Sequence, residues 1–167
     1  MARKRKARRS FRRRMFRRIV LAVDGSTSSR HAAAAAAIVA QRNKAELIVT
    51  SVVPTPKYIY APDPLTALPA AGIPAPIYSI YNGEREAAAK LVDRAVPSSA
   101  QKKVRVKKKV LNAETSVADA ITTYAKKQKA DLIVVGTSSV HGIKRIVLGS
   151  VSSSVVNNAD TSVLVVR

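Results

Sequence analysis

The chain has no cysteine among its 167 residues. It can therefore form neither a disulfide framework nor a thiolate metal site. Long apolar runs are also missing, and none approaches the roughly 18 residues that a membrane-spanning helix needs. No apolar segment of about 7–15 residues follows the basic amino terminus, as a secretory signal would require. These absences favour a cytoplasmic protein without a membrane span. The length of the chain is sufficient for one domain with one buried core.

Acidic residues are scarce, with 10 Asp and Glu against 30 Lys and Arg and a net charge of +20. The imbalance is uneven along the chain. Residues 1–18 hold 11 basic residues and no acid, so residues 19–167 carry 19 basic and 10 acidic residues, a net +9. The sequence therefore predicts a strongly basic arm, residues 1–18, followed by a moderately basic domain, residues 19–167.

The arm, MARKRKARRSFRRRMFRR, offers too little apolar surface to fold by itself, and we expect it to be disordered until it binds a partner. Guanidinium groups contact phosphates and stack on bases, and Phe rings stack as well, so RNA or DNA is the predicted partner. A cleaved targeting peptide, a nuclear-import signal and adhesion to an acidic membrane are the alternatives. The predicted nucleic-acid contacts are Arg3, Lys4, Arg5, Lys6, Arg8, Arg9, Phe11, Arg12, Arg13, Arg14, Phe16, Arg17 and Arg18.

The remainder alternates apolar runs of strand length with helical segments. Continuous apolar runs such as 19–23 are typical of strands buried on both faces of a parallel sheet. The pattern predicts an α/β fold, an open doubly wound sheet covered by helices. The predicted strands are 19–23, 47–53, 103–111, 132–135 and 162–166, and the predicted helices start after Ser26 or Ser28, near Tyr81, after Thr115 or Ser116, and at Gly149–Ser150.

Residues 54–76 differ from their surroundings, because they contain seven of the eight prolines and lack both helical and strand periodicity. Such a segment forms a long connection. A lid over a site, a partner-binding surface and a solvated insertion remain open as its role.

A ligand site is expected at the carboxyl ends of the strands, where open parallel sheets bind ligands at the topological switch point. Asp24, Val52 and Gly136 lie at or near those ends. After Gly136, a loop of small residues leads to a helix that begins at Gly149–Ser150. A helix terminus of this kind presents backbone N–H groups and a positive dipole end to a phosphate. The pattern indicates an anion site, although an ordinary strand-to-helix connection has the same features.

Four segments resemble the universal stress protein family: IVLAVDGSTS at 19–28, ADLIVVG at 130–136, GIKRIVLGSV at 142–151 and TSVLVVR at 161–167. The resemblance covers residues 18–167. It implies an adenine nucleotide alpha hydrolase-like fold, with a five-stranded parallel sheet in the order 3-2-1-4-5 and helices on both faces. It also implies a homodimer that pairs through the last strand.

Nucleotide-binding members of that family carry a glycine, two residues, a second glycine, nine residues, and then glycine with serine or threonine. In this chain Gly136 takes the first position and Gly149 with Ser150 the last, whereas Ser139 replaces the second glycine. If that position is left-handed, a serine there costs on the order of 1 kcal/mol. The Ser139 hydroxyl could instead donate to a phosphate, and Gly142 could take up the turn.

The ligand that the resemblance implies is ATP, alone or with Mg²⁺. Asp24 and Val52 would border the adenine and ribose, while backbone N–H groups and the Ser150 hydroxyl would hold the phosphates. The full set of implied nucleotide-binding residues is Asp24, Val52, Gly136, Ser139, Gly142, Gly149, Ser150 and Val151.

Catalytic signals in the sequence are weak. No Ser-His-Asp arrangement, no paired carboxylates and no metal-ligand spacing occur, and the lone loop histidine, His141, is a poor candidate for a general base. We expect binding and no enzymatic role beyond a slow ATPase.

Two hypotheses about the function remain open. One is a nucleotide-binding regulatory protein that its arm anchors to nucleic acid. The other is a non-catalytic structural RNA- or DNA-binding protein, associated with ribosomes or chromatin, that has lost its nucleotide.

Overall fold

Strands and helices alternate in the computed structural model, which describes residues 15–55, 75–137 and 148–167. The strands are β1 (Arg18–Ala22), β2 (Glu46–Pro54), β3 (Arg105–Ala113), β4 (Leu132–Gly136) and β5 (Ser162–Val166). The helices are α1 (Thr27–Asn43), α2 (Ala75–Arg94), α3 (Ser98–Gln101), α4 (Val117–Lys127) and α5 (Ser150–Asn158). Within these ranges no helix is both long enough and apolar enough to cross a membrane.

The five strands form one parallel sheet in the order β3-β2-β1-β4-β5. β1 lies at the centre, where Leu21 pairs with Val49 of β2 on one side and with Val134 of β4 on the other. Such an order requires the chain to reverse its direction of winding between β3 and β4. The predicted fold class, sheet order and parallel arrangement are confirmed.

Two apolar clusters cover the two faces of the sheet. Leu21 of β1 packs with Ala36 of α1 on one face, and Val20 packs with Ile121 of α4 and Val155 of α5 on the other. Neighbouring residues of β1 point to opposite faces, so both must be apolar. Val20 and Leu21 are completely buried, and burial of each contributes about 1.5–3 kcal/mol. The run of β1 is thus continuously apolar because helices cover both faces of the sheet.

Serine side chains start two of the helices, as the sequence predicted. The Ser26 Oγ accepts a hydrogen bond of 3.1 Å from the backbone N–H of Ser29 at the start of α1. The Ser116 Oγ accepts one of 3.0 Å from the N–H of Asp119 at the start of α4. Each cap satisfies a backbone donor that has no partner inside its helix.

The folded domain begins before residue 19. Phe16 packs against the cluster that contains Leu21. The backbone N–H groups of Arg17 and Arg18 donate to one carboxylate oxygen of Asp131, at 2.6 and 2.9 Å. The predicted boundary therefore leaves residues 15–18 in the arm although all four contact the domain, Met15 through its N–H, which lies 3.2 Å from the side-chain oxygen of Asn43. Residues 1–14 lie outside the described residues.

The second helix starts earlier than expected. α2 begins at Ala75 instead of near Tyr81, and Pro76 lies in its first turn, where the missing N–H of proline has no cost. The short helix α3 has no counterpart among the predicted elements. Residues 56–74 of the proline-rich connection lie outside the described residues.

β3 forms one edge of the sheet and carries a run of cations. Arg105, Lys107, Lys108 and Lys109 are all exposed. Alternate residues of a strand point to opposite faces, so these cations occupy both faces of the edge, not the single basic face that the sequence predicted. Lys108 also pairs with Asp93 of α2, at 3.1 Å.

Candidate functional site

A cleft of about 420 Å³ opens at the carboxyl ends of β1, β2 and β4. β1 separates β2 from β4, and the connections from these strands lead to helices on opposite faces, so this is the switch point of the sheet. Asp24, Val52 and Gly136 reach the cleft from the three strand ends. The position that the sequence predicted for a ligand is therefore a real concavity.

The walls of the cleft come from two helices to which the sequence assigned no role in a ligand site. α2 contributes Glu84, Ala87 and Leu91, and α4 contributes Val117 and Ile121. The apolar periodicity of both helices was visible in the sequence. However, only the sheet order places their apolar faces over the ends of β1, β2 and β4. Glu84 adds an exposed carboxylate that no motif marked.

Gly136 allows the end of β4 to approach the first turn of α1. A Cβ at this position would lie 2.7 Å from the carbonyl carbon of Ser28 and from the backbone nitrogen of Ser29. The Ser28 hydroxyl also donates to the carbonyl oxygen of Thr137, which fixes the same approach. Helix–strand packing therefore requires glycine here, whether or not its backbone also faces a ligand.

Asp24 brings an ionised carboxylate to the cleft. Burial raises the pKa of this carboxyl, but hydrogen bonds from Ser26 and Ser29 outweigh burial and hold the pKa of Asp24 below its ordinary value. One of these bonds joins the Ser26 N–H to Asp24 Oδ1 at 2.9 Å. Because the folded-state pKa is the lower one, the carboxylate stabilises the fold above its ordinary pKa. That contribution is lost as the pH falls through the folded-state pKa. The charged carboxylate can accept hydrogen bonds from hydroxyl or amino groups.

The amino terminus of α5 lies on the same cleft, through Ser150 and Val151. Gly149 is the N-cap residue, and no side chain among residues 15–55, 75–137 and 148–167 caps the helix. The first N–H groups of a helix have no partner within it, and they carry the positive end of its dipole. The cleft thus combines a hydrogen-bond-accepting carboxylate with a helix terminus that attracts anions, and this combination suits a ligand with a polar group and a phosphate.

Five of the eight residues implied by the resemblance line this cleft: Asp24, Val52, Gly136, Ser150 and Val151. Gly149 holds the N-cap position beside them. Ser139 and Gly142 lie outside the described residues, as does His141. The described ranges contain no group of three or more His, Cys, Asp or Glu side chains that could hold a metal ion.

The predicted nucleic-acid contacts fall mostly outside the described residues, which include only Phe16, Arg17 and Arg18 of that set. Phe16 is half-buried in the core, so its ring is not free to stack on a base. The guanidinium of Arg18 donates to the carbonyl oxygen of Gln128 at 2.6 Å and lies 3.6 Å from the carboxylate of Glu46. Arg17 remains exposed.

Comparisons with known proteins converge on one family. The sequence profile described as the universal stress protein family matches residues 15–167. A universal stress protein of Methanocaldococcus jannaschii is 35% identical over 153 residues, which cover 92% of this chain and 83% of that protein. The solved universal stress protein UspA of Lactobacillus plantarum matches with a TM-score of 0.68 at 27% identity and covers 90% of this chain and 97% of its own. A universal stress protein in complex with cAMP matches at 0.56 and 28%, with 91% and 97% covered. The chain belongs to the universal stress protein family.

Proposed function

We propose that this protein is a regulatory protein that binds an adenine nucleotide, ATP in the first place, in the cleft at the carboxyl ends of β1, β2 and β4. The observation that carries the proposal is that five of the implied nucleotide-binding residues line this one cleft. Its volume of about 420 Å³ falls in the range of roughly 300–1,000 Å³ typical of small-molecule sites. A similar protein, 28% identical, has been solved in complex with cAMP.

In this proposal the two polar features of the cleft hold the two ends of the nucleotide. The base and ribose pack on Val52 of β2 and Ala87 of α2, and the Asp24 carboxylate accepts a hydrogen bond from a ribose hydroxyl or the adenine amine. The phosphates lie against the first N–H groups of α5, at Ser150 and Val151. The site binds and releases nucleotide, with at most slow hydrolysis, and Mg²⁺ accompanies ATP as a phosphate-bound ion.

Val151→Asp is expected to weaken ATP binding on the order of 100-fold, because a carboxylate a few ångströms from the phosphates repels them. Val151 is 37% exposed, so the new carboxylate stays in contact with water. An acidic residue in the first turn also favours a helix, by about 0.3–1 kcal/mol, so the melting temperature should not fall. Isothermal titration calorimetry with ATP, ADP, AMP and cAMP measures the effect.

The matched control is Val151→Asn, which has nearly the same shape as Val151→Asp without the charge and should bind within a few-fold of wild type. If both variants bind ATP like wild type, the phosphates lie elsewhere. If the wild-type protein binds none of the four nucleotides, the proposed function is wrong.

We further propose a homodimer that pairs through β5. This strand lies at the edge of the sheet, and its Val163, Leu164 and Val165 are only half-buried. An unpaired edge strand presents backbone groups that another chain can pair with. The carbonyl oxygen of Val166 accepts the N–H of Thr137 at 2.7 Å. Residue 166 therefore faces β4, and the N–H of Val165 faces away from the sheet.

Val165→Pro is expected to convert the dimer to a monomer, because proline removes an outward N–H and blocks close approach of a second strand. Light scattering after size-exclusion chromatography measures the mass, with Val165→Thr as a control that keeps the N–H and the β-branched shape. A cooperative thermal transition in both variants shows that the domain still folds. A Val165→Pro protein that stays dimeric would place the interface elsewhere.

We also propose that the arm anchors the protein to RNA or DNA. Nine of residues 1–14 are basic and none is acidic. Such a charge density binds phosphate backbones strongly, with a steep dependence on salt concentration. Phe11 lies among these cations and could stack on bases.

The second candidate function, a structural nucleic-acid-binding protein that no longer takes nucleotide, is favoured by two observations. The packing of β4 against α1 is by itself a sufficient reason for glycine at position 136, so this glycine is no evidence of a ligand. Ser139 stands where nucleotide-binding members of the family have glycine. Purification of the native protein at low salt, with mass spectrometry of everything bound, separates the two functions. Nucleotide at near one per chain supports the first, and nucleic acid without nucleotide supports the second.

A further inference from the structure

A second groove, of about 920 Å³, lies at the amino-terminal end of the sheet, opposite the nucleotide cleft. The starts of β1, β2 and β3 meet there with the carboxyl ends of α1 and α4. Its cationic lining residues are Arg17, Arg18, Lys44, Lys103, Arg105 and Lys129. Two carboxylates, of Glu46 and Asp131, also line the groove, so the cations exceed the acids by four.

Both carboxylates are already engaged. Glu46 lies 3.6 Å from the Arg18 guanidinium and 3.0 Å from the Lys107 ammonium. Asp131 accepts the backbone N–H groups of Arg17 and Arg18. Among the described residues, no ion pair involves the five other cations of the groove: Arg17, Lys44, Lys103, Arg105 and Lys129. The groove therefore presents a surplus of positive charge to solvent.

Two of these cations occupy backbone positions that glycine fills more easily. Lys44 and Lys129 both have φ of 52°, in the left-handed region, just past the carboxyl ends of α1 and α4. Glycine adopts this geometry without the steric penalty of a Cβ. A cation near a helix carboxyl terminus does interact favourably with the helix dipole. Both residues nevertheless line the groove, and their charges add to its positive charge.

The basic arm joins the domain at this groove. The backbone N–H groups of Met15 and Phe16 lie 3.2 and 3.5 Å from the side-chain oxygen of Asn43, the residue before Lys44. Residue 15, which follows the nine cations of residues 1–14, therefore lies beside the groove.

We propose that this groove binds the sugar-phosphate backbone of a nucleic acid strand. The contact that the arm makes with nucleic acid then continues on the surface of the domain. The inference deepens the proposed anchoring role of the arm and rests on it. A concave groove lined with cations suits the phosphates of an extended nucleic acid backbone. A bilayer surface, by contrast, is flat on this scale and favours a flat or protruding basic surface.

The test measures binding of the full-length protein to fluorescein-labelled 20-nucleotide strands by fluorescence anisotropy, as RNA and as DNA, single- and double-stranded. The variant is Lys44→Gly with Lys129→Gly, which removes two groove charges and relieves two left-handed side chains. We expect an affinity about tenfold weaker at fixed salt, and a plot of log K against log salt that is shallower by about 1–2. The melting temperature should be unchanged or higher.

The control is Arg30→Ala with Lys90→Ala. Both residues are exposed cations outside the groove, so this variant loses the same net charge. It should bind within about twofold of wild type if local contacts decide affinity. The preferred strand type, RNA or DNA, identifies the source of the phosphates. Should the glycine variant unfold, Lys44→Asn with Lys129→Asn replaces it, since asparagine tolerates left-handed geometry.

Three outcomes overturn the inference. If the groove variant binds like wild type while the wild-type protein binds tightly, the arm acts alone and only the proposed anchoring role survives. If groove and control variants lose affinity equally, net charge is the cause and the groove has no role. If the wild-type protein binds phosphatidylserine vesicles but none of the strands, both the groove and the anchoring role are wrong.

Discussion

Gly136→Ala is expected to destabilise the domain by about 3 kcal/mol, within the range typical of overpacking a buried contact. A Cβ at this position would meet the backbone of α1 at Ser28 and Ser29, each 2.7 Å away. Backbone cannot rotate aside as a side chain can, so α1 and β4 must separate. Calorimetry of the nucleotide-free protein should show a melting temperature lower by about 6–12 °C, at roughly 2–4 °C per kcal/mol for a domain of this size.

The control for this loss is Gly83→Ala. A Cβ at Gly83 would meet nothing within 4 Å, and the residue lies inside α2. Alanine in a helix interior is better than glycine by roughly 0.5–1 kcal/mol, so this variant should melt slightly higher. If Gly136→Ala left the melting temperature unchanged and lowered only nucleotide affinity, the glycine would serve the ligand and not the packing.

Deletion of residues 2–14 is expected to weaken nucleic-acid binding about a thousandfold at about 50 mM salt, because it removes nine cations and the counterion release that they drive. The deletion stops before residue 15, since residues 15–18 contact the domain. The melting temperature should therefore not change. Anisotropy titrations at several salt concentrations give both the affinity and the number of phosphates contacted.

Two variants separate the forces within the arm. Replacement of its seven arginines in residues 2–14 by lysine keeps every charge and removes the bidentate guanidinium contacts. Phe11→Ala removes the one aromatic ring of that segment, and loss of stacking costs about 1–3 kcal/mol. An unchanged affinity after the full deletion would show that the arm does not anchor the protein.

Local sequence signals predicted the elements whose causes are local. The continuous apolar run of β1 predicted burial on both faces. Each start of α1 and α4 was predicted to within two candidate cap residues, and the caps are Ser26 and Ser116. The order of the strands came from the resemblance to a family, not from periodicity. The sequence did not predict the start of α2 at Ala75, because the prolines up to residue 76 interrupt the helical periodicity there.

Tertiary contacts explain what the sequence could not predict about the site. The spacing of small residues marked Gly136, but only the approach of α1 shows which atoms a side chain there would meet. The walls that α2 and α4 add to the cleft depend on where the sheet order places those helices. The amino-terminal groove collects cations that lie far apart in the chain, from Arg17 to Lys129, because strand starts and helix ends meet at one edge.

The two edge strands of the sheet differ in their side chains, and this difference limits how many copies of the chain can pair edge to edge. β3 presents exposed cations on both of its faces, whereas β5 presents half-buried valines and a leucine. Charged side chains on an edge strand deter pairing with another chain, and repulsion between two such edges adds to the effect. A sheet with two receptive edges could add copies end to end into a fibre. With only β5 receptive, the pairing that we propose stops at two copies, because every copy has used its one open edge.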